Sequence, residues 1–139
     1  MSEENGSIVR RYFEEIWNQR RMDKFDEFYT KDFVPHGAVG ATNAAAVKQA
    51  VIMTHKAFPD LHVEMHDEIV AGDKVVARYT VTGTQRGDWL NIPATGKQVS
   101  MAGITIFRLT GGKIAEFWLQ TDVMGMMQQL GVIPTPEQP

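Results

Sequence analysis

Asp122 closes the stretch "GGKIAEFWLQTD", in which Ile114, Glu116, Trp118, Gln120 and Asp122 alternate with Ala115, Phe117, Leu119 and Thr121. A carboxylate beside an aromatic residue can take a proton from carbon and return it to oxygen. The same Asp immediately precedes an apolar helical pattern, where Asp is a preferred N-cap. The residue types leave both roles open. Arg78, in "VVARYTVTG" beside Val76, Thr80, Thr82 and Thr84, is either a solvated strand cation or a cavity cation facing Asp122. In the second case the pair would position a water molecule for hydrolysis, as in an epoxide hydrolase.

The other polar clusters carry less chemistry. His62, Glu64, His66 and Glu68 alternate in "HVEMHDE". In a strand His62 and His66 are about 13 Å apart at about 3.3 Å per residue, too far to share an ion. They read as a solvated face. His36 and His55 are isolated histidines with no triad around them. The glycines of "VTGTQRG" and "PATGK" match no phosphate-binding spacing. The chain has no Cys, which removes disulfides, thiol nucleophiles and thiolate metal sites together.

Helices come first in the chain. Val9, Tyr12, Phe13, Ile16 and Trp17 recur at helical spacing, predicting a helix from a Ser7 cap to about Arg20. A short helix opens at Asp23 with Phe25, Phe28 and Tyr29 inward, and "DFVPHG" is a brief extended piece carrying His36. Asn43 caps a third helix whose stripe of Val47, Val51, Thr54 and Phe58 ends at Pro59.

From Leu61 the period changes to two. Four strands follow: residues 61–70, "KVVARYTVTGTQ", "QVSMAGITIFRL" and "KIAEFWLQTD", with short turns that imply antiparallel neighbours. The connection over 88–97 is long for a hairpin and holds Trp89, which suits a lid or rim. A final helix from Val123 to Leu130 stops at Gly131. This order predicts one α+β domain spanning 1–139, with helices laid on one face of a curved sheet.

At 139 residues there is chain for one hydrophobic core. The net charge of -3, with scattered basic residues, provides no stripe for a phosphate backbone, so nucleic acid is not an expected partner. No apolar run approaches 18 residues and the N-terminus lacks a secretory pattern, so the expected setting is cytoplasmic, without membrane contact.

"AFPDL", "GDKVVARYTVTGTQRGDWLNIPATGK", "GGKIAEFWLQTD" and "QQLGVIP", in that order and spacing, resemble the SnoaL-like polyketide cyclase (ester cyclase) family. The likeness covers about residues 7–134. It implies the cone-shaped α+β barrel of the nuclear transport factor two-like superfamily, mostly antiparallel and enclosing a pocket. It also implies an intramolecular aldol ring closure, a cyclase, lyase or isomerase reaction without metal or cofactor, on a small apolar or polycyclic carbonyl compound. The family's E-x-W-x-x-x-D pattern falls on Glu116, Trp118 and Asp122. The resemblance thus turns the 114, 116, 118, 120, 122 face toward the cavity and makes Asp122 the acid-base residue.

On this reading Phe13, Trp17, Phe58 and Trp118 wall the substrate, and His36, Glu116 and Arg78 add polar contacts. The resemblance implies a homodimer through the outer sheet face, with the "FxLxT" side of the last strand as a compatible apolar surface. Gln85 stands where many relatives have the His of G-T-H. A binding module that holds the same ligand without chemistry is the alternative, as is the epoxide hydrolase or isomerase arrangement.

Overall fold

The computed structural model describes residues 2–37 and 41–135. Helix α1 (Ser2–Arg11) starts earlier than the Ser7 cap expected from the sequence, with Glu3 and Glu4 in its first turn and Arg10 and Arg11 in its last, as the helix dipole favours. It runs directly into a π-helical turn, Tyr12–Asn18. The wider winding suits the bulky run Tyr12, Phe13, Ile16 and Trp17, and π turns recur at functional sites. A 3-10 helix, Met22–Phe28, then buries Phe25 and Phe28.

Strand β1 (Tyr29–His36) follows, and α2 (Ala44–Ala57) begins at Asn43, whose Oδ1 accepts the Ala46 amide at 2.9 Å. Strands β2 (His62–Ala71), β3 (Lys74–Thr84), β4 (Gln98–Thr110) and β5 (Lys113–Thr121) lie where the alternation predicts them. Helix α3 (Val123–Leu130) ends at Gly131, in the left-handed region at φ 81°.

The sheet order is β1-β5-β4-β3-β2. The three hairpin-type pairings are antiparallel, and β1 runs parallel to β5 at the edge. The fold class is thus the expected α+β one with a mostly antiparallel sheet. The sheet is not a closed barrel: β1 and β2 remain its two edges, and helices cover its inner face. Among the described residues, no helix is long and apolar enough to cross a membrane.

Two irregularities decide which side chains face inward. Arg108 pairs with Glu116, and the next residue, Leu109, pairs with Ile114, so Ala115 is an extra residue, a β-bulge. A bulge reverses the alternation. Ile114 is therefore buried together with Phe117, while Leu119 and Thr121 continue the inner face and Glu116, Trp118 and Gln120 go outside. The 114, 116, 118, 120, 122 face expected in the cavity does not exist as one face. The "FxLxT" side is likewise inside and cannot be a dimer surface.

On β2, Met65 pairs with Tyr79 and Asp67 with Arg78, leaving His66 as the extra residue. His62, Glu64 and His66 stay exposed, but Glu68 turns in beneath α1, ion-paired to Arg10.

The core is aromatic where helices meet the sheet. Phe107 of β4 meets Tyr12, Phe13 and Phe117 at ring distances of 6.1, 5.8 and 6.1 Å, near-perpendicular in each case. Such edge-to-face pairs stabilise beyond their buried area.

Candidate functional site

The inner face does not fill completely. A cavity of about 230 Å³ remains between the sheet, the π turn and α2. Its walls are Tyr12, Phe13 and Trp17 from the π turn, the Val47, Val51, Thr54 and Phe58 stripe of α2, and Tyr79, Thr105, Phe107, Phe117 and Leu119 from the sheet. The α2 stripe expected from helical spacing thus lines the cavity in full. Trp89 and Leu90 from the β3–β4 connection close one side, as a rim residue in that loop was expected to do. The volume lies just below the roughly 300–1,000 Å³ of drug-sized sites, which suits a small flat molecule.

Three expected wall residues, Phe13, Trp17 and Phe58, are in place. Four others are not. Arg78 is on the outer face, ion-paired with Asp67 of β2. It cannot face Asp122 across the cavity, and the epoxide-hydrolase arrangement loses its cation. Glu116 and Trp118 also lie outside, on the face of β5 opposite Phe117 and Leu119, and His36, paired with Trp118 across β1 and β5, lies with them. They form a cluster of their own: His36 Nε2 is 2.7 Å from Glu116 Oε2, Arg108 Nε donates to Glu116 Oε1 at 3.0 Å, and the His36 ring stacks on Trp118 at 5.4 Å. The His36 hydrogen bond, seconded by Arg108, holds the Glu116 carboxyl below its usual range. Gly37, the next residue, does line the cavity, at φ 86° with no room for a Cβ against the Leu119 carbonyl.

Asp122 is exposed and caps α3, its Oδ1 accepting the Gly125 amide at 2.9 Å. Its Oδ2 has no hydrogen bond among the described residues. It is not itself a wall residue, yet both its neighbours, Thr121 and Val123, are. No other described Asp or Glu is flanked in this way.

Among the described residues the wall contains two titratable groups, Tyr12 and Tyr79, which the sequence reading did not assign to the site. Tyr12 carries a signal, since it lies on the same helical stripe as Phe13; Tyr79 sits on the strand face opposite the polar one. Burial pushes the Tyr12 hydroxyl up to about 12 and also raises Tyr79, whose hydroxyl pairs with Thr105 Oγ1 at 2.8 Å. Both stay neutral phenols at physiological pH, suited to donating hydrogen bonds and not to removing protons.

Behind the wall, His55 fixes Trp17. Its Nε2 lies 3.0 Å from the Trp17 carbonyl, and the rings meet edge-on at 5.6 Å. A carbonyl only accepts, so Nε2 carries the proton. Burial lowers the His55 pKa below its ordinary 6.5. As pH falls through 6.5, the unfolded imidazole takes a proton that the folded one resists, so stability present above 6.5 is lost on acidification. His55→Phe is expected to flatten the fall in urea midpoint between pH 7.5 and 5.5. Parallel curves for the two proteins would refute this, because the exposed histidines are common to both.

Comparison with known proteins places this architecture. The family model described as SnoaL-like polyketide cyclase matches residues 7–130. The aklanonic acid methyl ester cyclase DnrD of Streptomyces peucetius is 30% identical over 136 residues, covering 94% of this chain and 93% of that protein. Among solved structures, TsrD from Streptomyces laurentii is similar at 26% identity and TM-score 0.87, over 96% of this chain and 98% of its own. A putative SnoaL-like polyketide cyclase from Jannaschia sp. CCS1 is similar at 27% identity and TM-score 0.85, over 96% and 95%.

Proposed function

We propose, starting from the fact that this chain belongs to the SnoaL-like polyketide cyclase family, that it closes a carbon ring in a small apolar carbonyl compound by acid–base chemistry needing no cofactor. Asp122 is the proton-transfer group. The observation that carries this reading is its position between two wall residues of an otherwise apolar cavity whose own titratable groups are neutral phenols.

The reaction makes modest demands on the protein. A carbon between two carbonyls gives its proton to Oδ2 of Asp122, the oxygen not used in the cap, leaving an enolate. The enolate carbon attacks a second carbonyl of the same molecule, forming the new C–C bond as that C=O becomes an alkoxide. Asp122 returns the proton to the alkoxide, and the product is an isomer of the substrate. The flat aromatic walls hold the chain folded with its ends near each other, which converts binding into proximity. In this reading Tyr79 and Tyr12, as wall phenols, donate to the developing oxyanions.

Aklanonic acid methyl ester, which appears in the name of the 30% identical relative, is the first compound to test. Turnover by the unmodified protein and its loss in Asp122→Asn would support the assignment; undiminished turnover in that variant would remove it. A cavity wall that among the described residues has no carboxylate, imidazole or amine equally suits a module that binds such a compound unchanged. Recovery of the unaltered compound after prolonged incubation with saturating protein distinguishes that case.

A second copy of the chain is the proposed partner. Trp118, Ile106, Val76 and Ile69 lie in direct cross-strand register on the outer face, forming an apolar row over four strands. Ile69 is 61% exposed and Ile104 beside the row 48%. Sedimentation at micromolar concentration is expected to show a dimer that Ile104→Lys dissociates. A monomeric unmodified protein would exclude this arrangement.

A further inference from the structure

Gln85 plays no part in the chemistry above, yet its side chain is completely buried. Burying a primary amide is costly unless its donors and acceptor are matched. Here Nε2 donates to the Ile92 carbonyl at 3.0 Å, and Oε1 accepts both the Thr95 amide at 3.1 Å and the Thr95 hydroxyl at 2.8 Å. The Gln85 backbone grips the same segment: its amide donates to the Lys97 carbonyl at 3.0 Å, and its carbonyl accepts from Gly96 at 2.9 Å. Every one of these partners lies in the returning limb of the β3–β4 connection. The outgoing limb is held separately, by Arg86 and Gly87 amides on the Ala57 carbonyl.

Between the two limbs is a two-residue turn closed by reciprocal bonds between Trp89 and Ile92 at 3.0 and 2.8 Å. Its tip residues, Leu90 at φ 47° and Asn91 at φ 64°, are left-handed. That conformation is unfavourable for Leu and persists only where the surroundings impose it. The tip overlooks the cavity: Trp89 and Leu90 line it, and the Trp89 ring meets Phe58 edge-on at 5.9 Å.

We infer that Gln85 is a positioning residue for specificity, which holds Ile92 and Thr95 so that the Trp89–Leu90 tip sets the largest flat ligand the cavity admits. The inference rests on the proposed reading of that cavity as the substrate site. Gln85 touches no ligand; it acts through the tip. In a G-T-H sequence the neutral His offers one donor and one acceptor, so it cannot reproduce all three side-chain bonds.

The test is binding of two probes to the full chain: 1-naphthol, with two fused rings, and 1-hydroxyanthraquinone, with three, each followed by quenching of tryptophan fluorescence. Leu90→Gly removes the tip side chain while suiting the positive φ. It is expected to raise affinity for the three-ring probe relative to the two-ring probe by about tenfold, and Gln85→Ala by a similar factor, about one buried hydrogen bond's worth. Thr95→Val, which removes the hydroxyl bond and leaves the backbone ones, is expected to shift the ratio the same way by less, and keeps the test decisive should Gln85→Ala not fold. A Leu90→Gly shift with an unchanged ratio in folded Gln85→Ala or in Thr95→Val would overturn the inference. So would equal weakening of both probes, the mark of a purely structural role. If the unmodified protein bound neither probe, the cavity reading would fall and this inference with it; binding with an unchanged ratio overturns this inference alone.

Discussion

Replacing Asp122 by Asn is expected to reduce ring closure by about 10²–10⁴-fold, the usual contribution of a positioned acid–base group, while leaving the fold intact. The separation is possible because the side chain has two jobs on two oxygens. Oδ1 accepts the Gly125 amide, and Oδ2, lying over the Gly125 Cα, has no hydrogen bond among the described residues. Asn is as good an N-cap as Asp, so the substituted side chain retains the bond to Gly125 and loses only proton transfer and a charge at the helix N-terminus. That charge is worth under about 1 kcal/mol. Asp122→Ala removes the cap as well, and is expected to cost about 1 kcal/mol more in stability with turnover no lower than in Asp122→Asn. The comparison needs turnover and a urea midpoint for both variants. An Asn variant that turns over normally, or an Ala variant that alone is inactive, would reduce Asp122 to a cap.

Phe107→Ala is expected to lower stability by about 3–5 kcal/mol, a large share of the roughly 5–15 kcal/mol that holds a domain of this kind together. Phe107 is 2% exposed and touches three other rings while forming cavity wall. Truncation enlarges a space that is already open, so neighbours on the cavity side have nothing to collapse onto, and the loss belongs in the upper part of the range. The melting temperature should fall by roughly 15 °C. A fall under about 3 °C, with folding still cooperative, would show that the aromatic wall is not a single packed unit.

Glycine at 111 and 112 illustrates what was readable in the chain. Both adopt positive φ, 57° and 80°, in the two-residue turn joining β4 to β5, and the pair by itself signals such a hairpin. Asn43 and Gly131 mark helix ends for equally local reasons. The α2 stripe followed from spacing alone, since helical periodicity leaves no choice of face; that all four of its residues line a cavity is a result of the packing. The aromatic stripe of the first helix was legible too, but its π winding and its start at Ser2 were not. The former depends on how Tyr12, Phe13 and Trp17 pack against the sheet.

On β5 the alternation defined two candidate faces and the resemblance chose between them, and a bulge breaks such a face in two. With one inserted residue at Ala115, Ile114 shares the inner face with Phe117 and Leu119 and not with Glu116 and Trp118. Nothing in "KIAEFWLQTD" announces the insertion, because a bulge is a mismatch between two strands and belongs to neither alone. The same is true of His66, which turned Glu68 toward α1. The parallel pairing of β1 with β5, which brings His36 against Trp118, joins segments distant in the chain and has no local signature.

By itself, then, the sequence determined the α+β class, the helix caps, the hairpin turns and the identity of Asp122 as the residue to question, all of them properties of short segments. Only the tertiary structure decided which strand face meets the cavity, that Arg78 lies outside it, and that the Asp122 carboxylate caps a helix through one oxygen. Those outcomes are set by register between strands and by packing across the core, where contacts distant in sequence outweigh local preference.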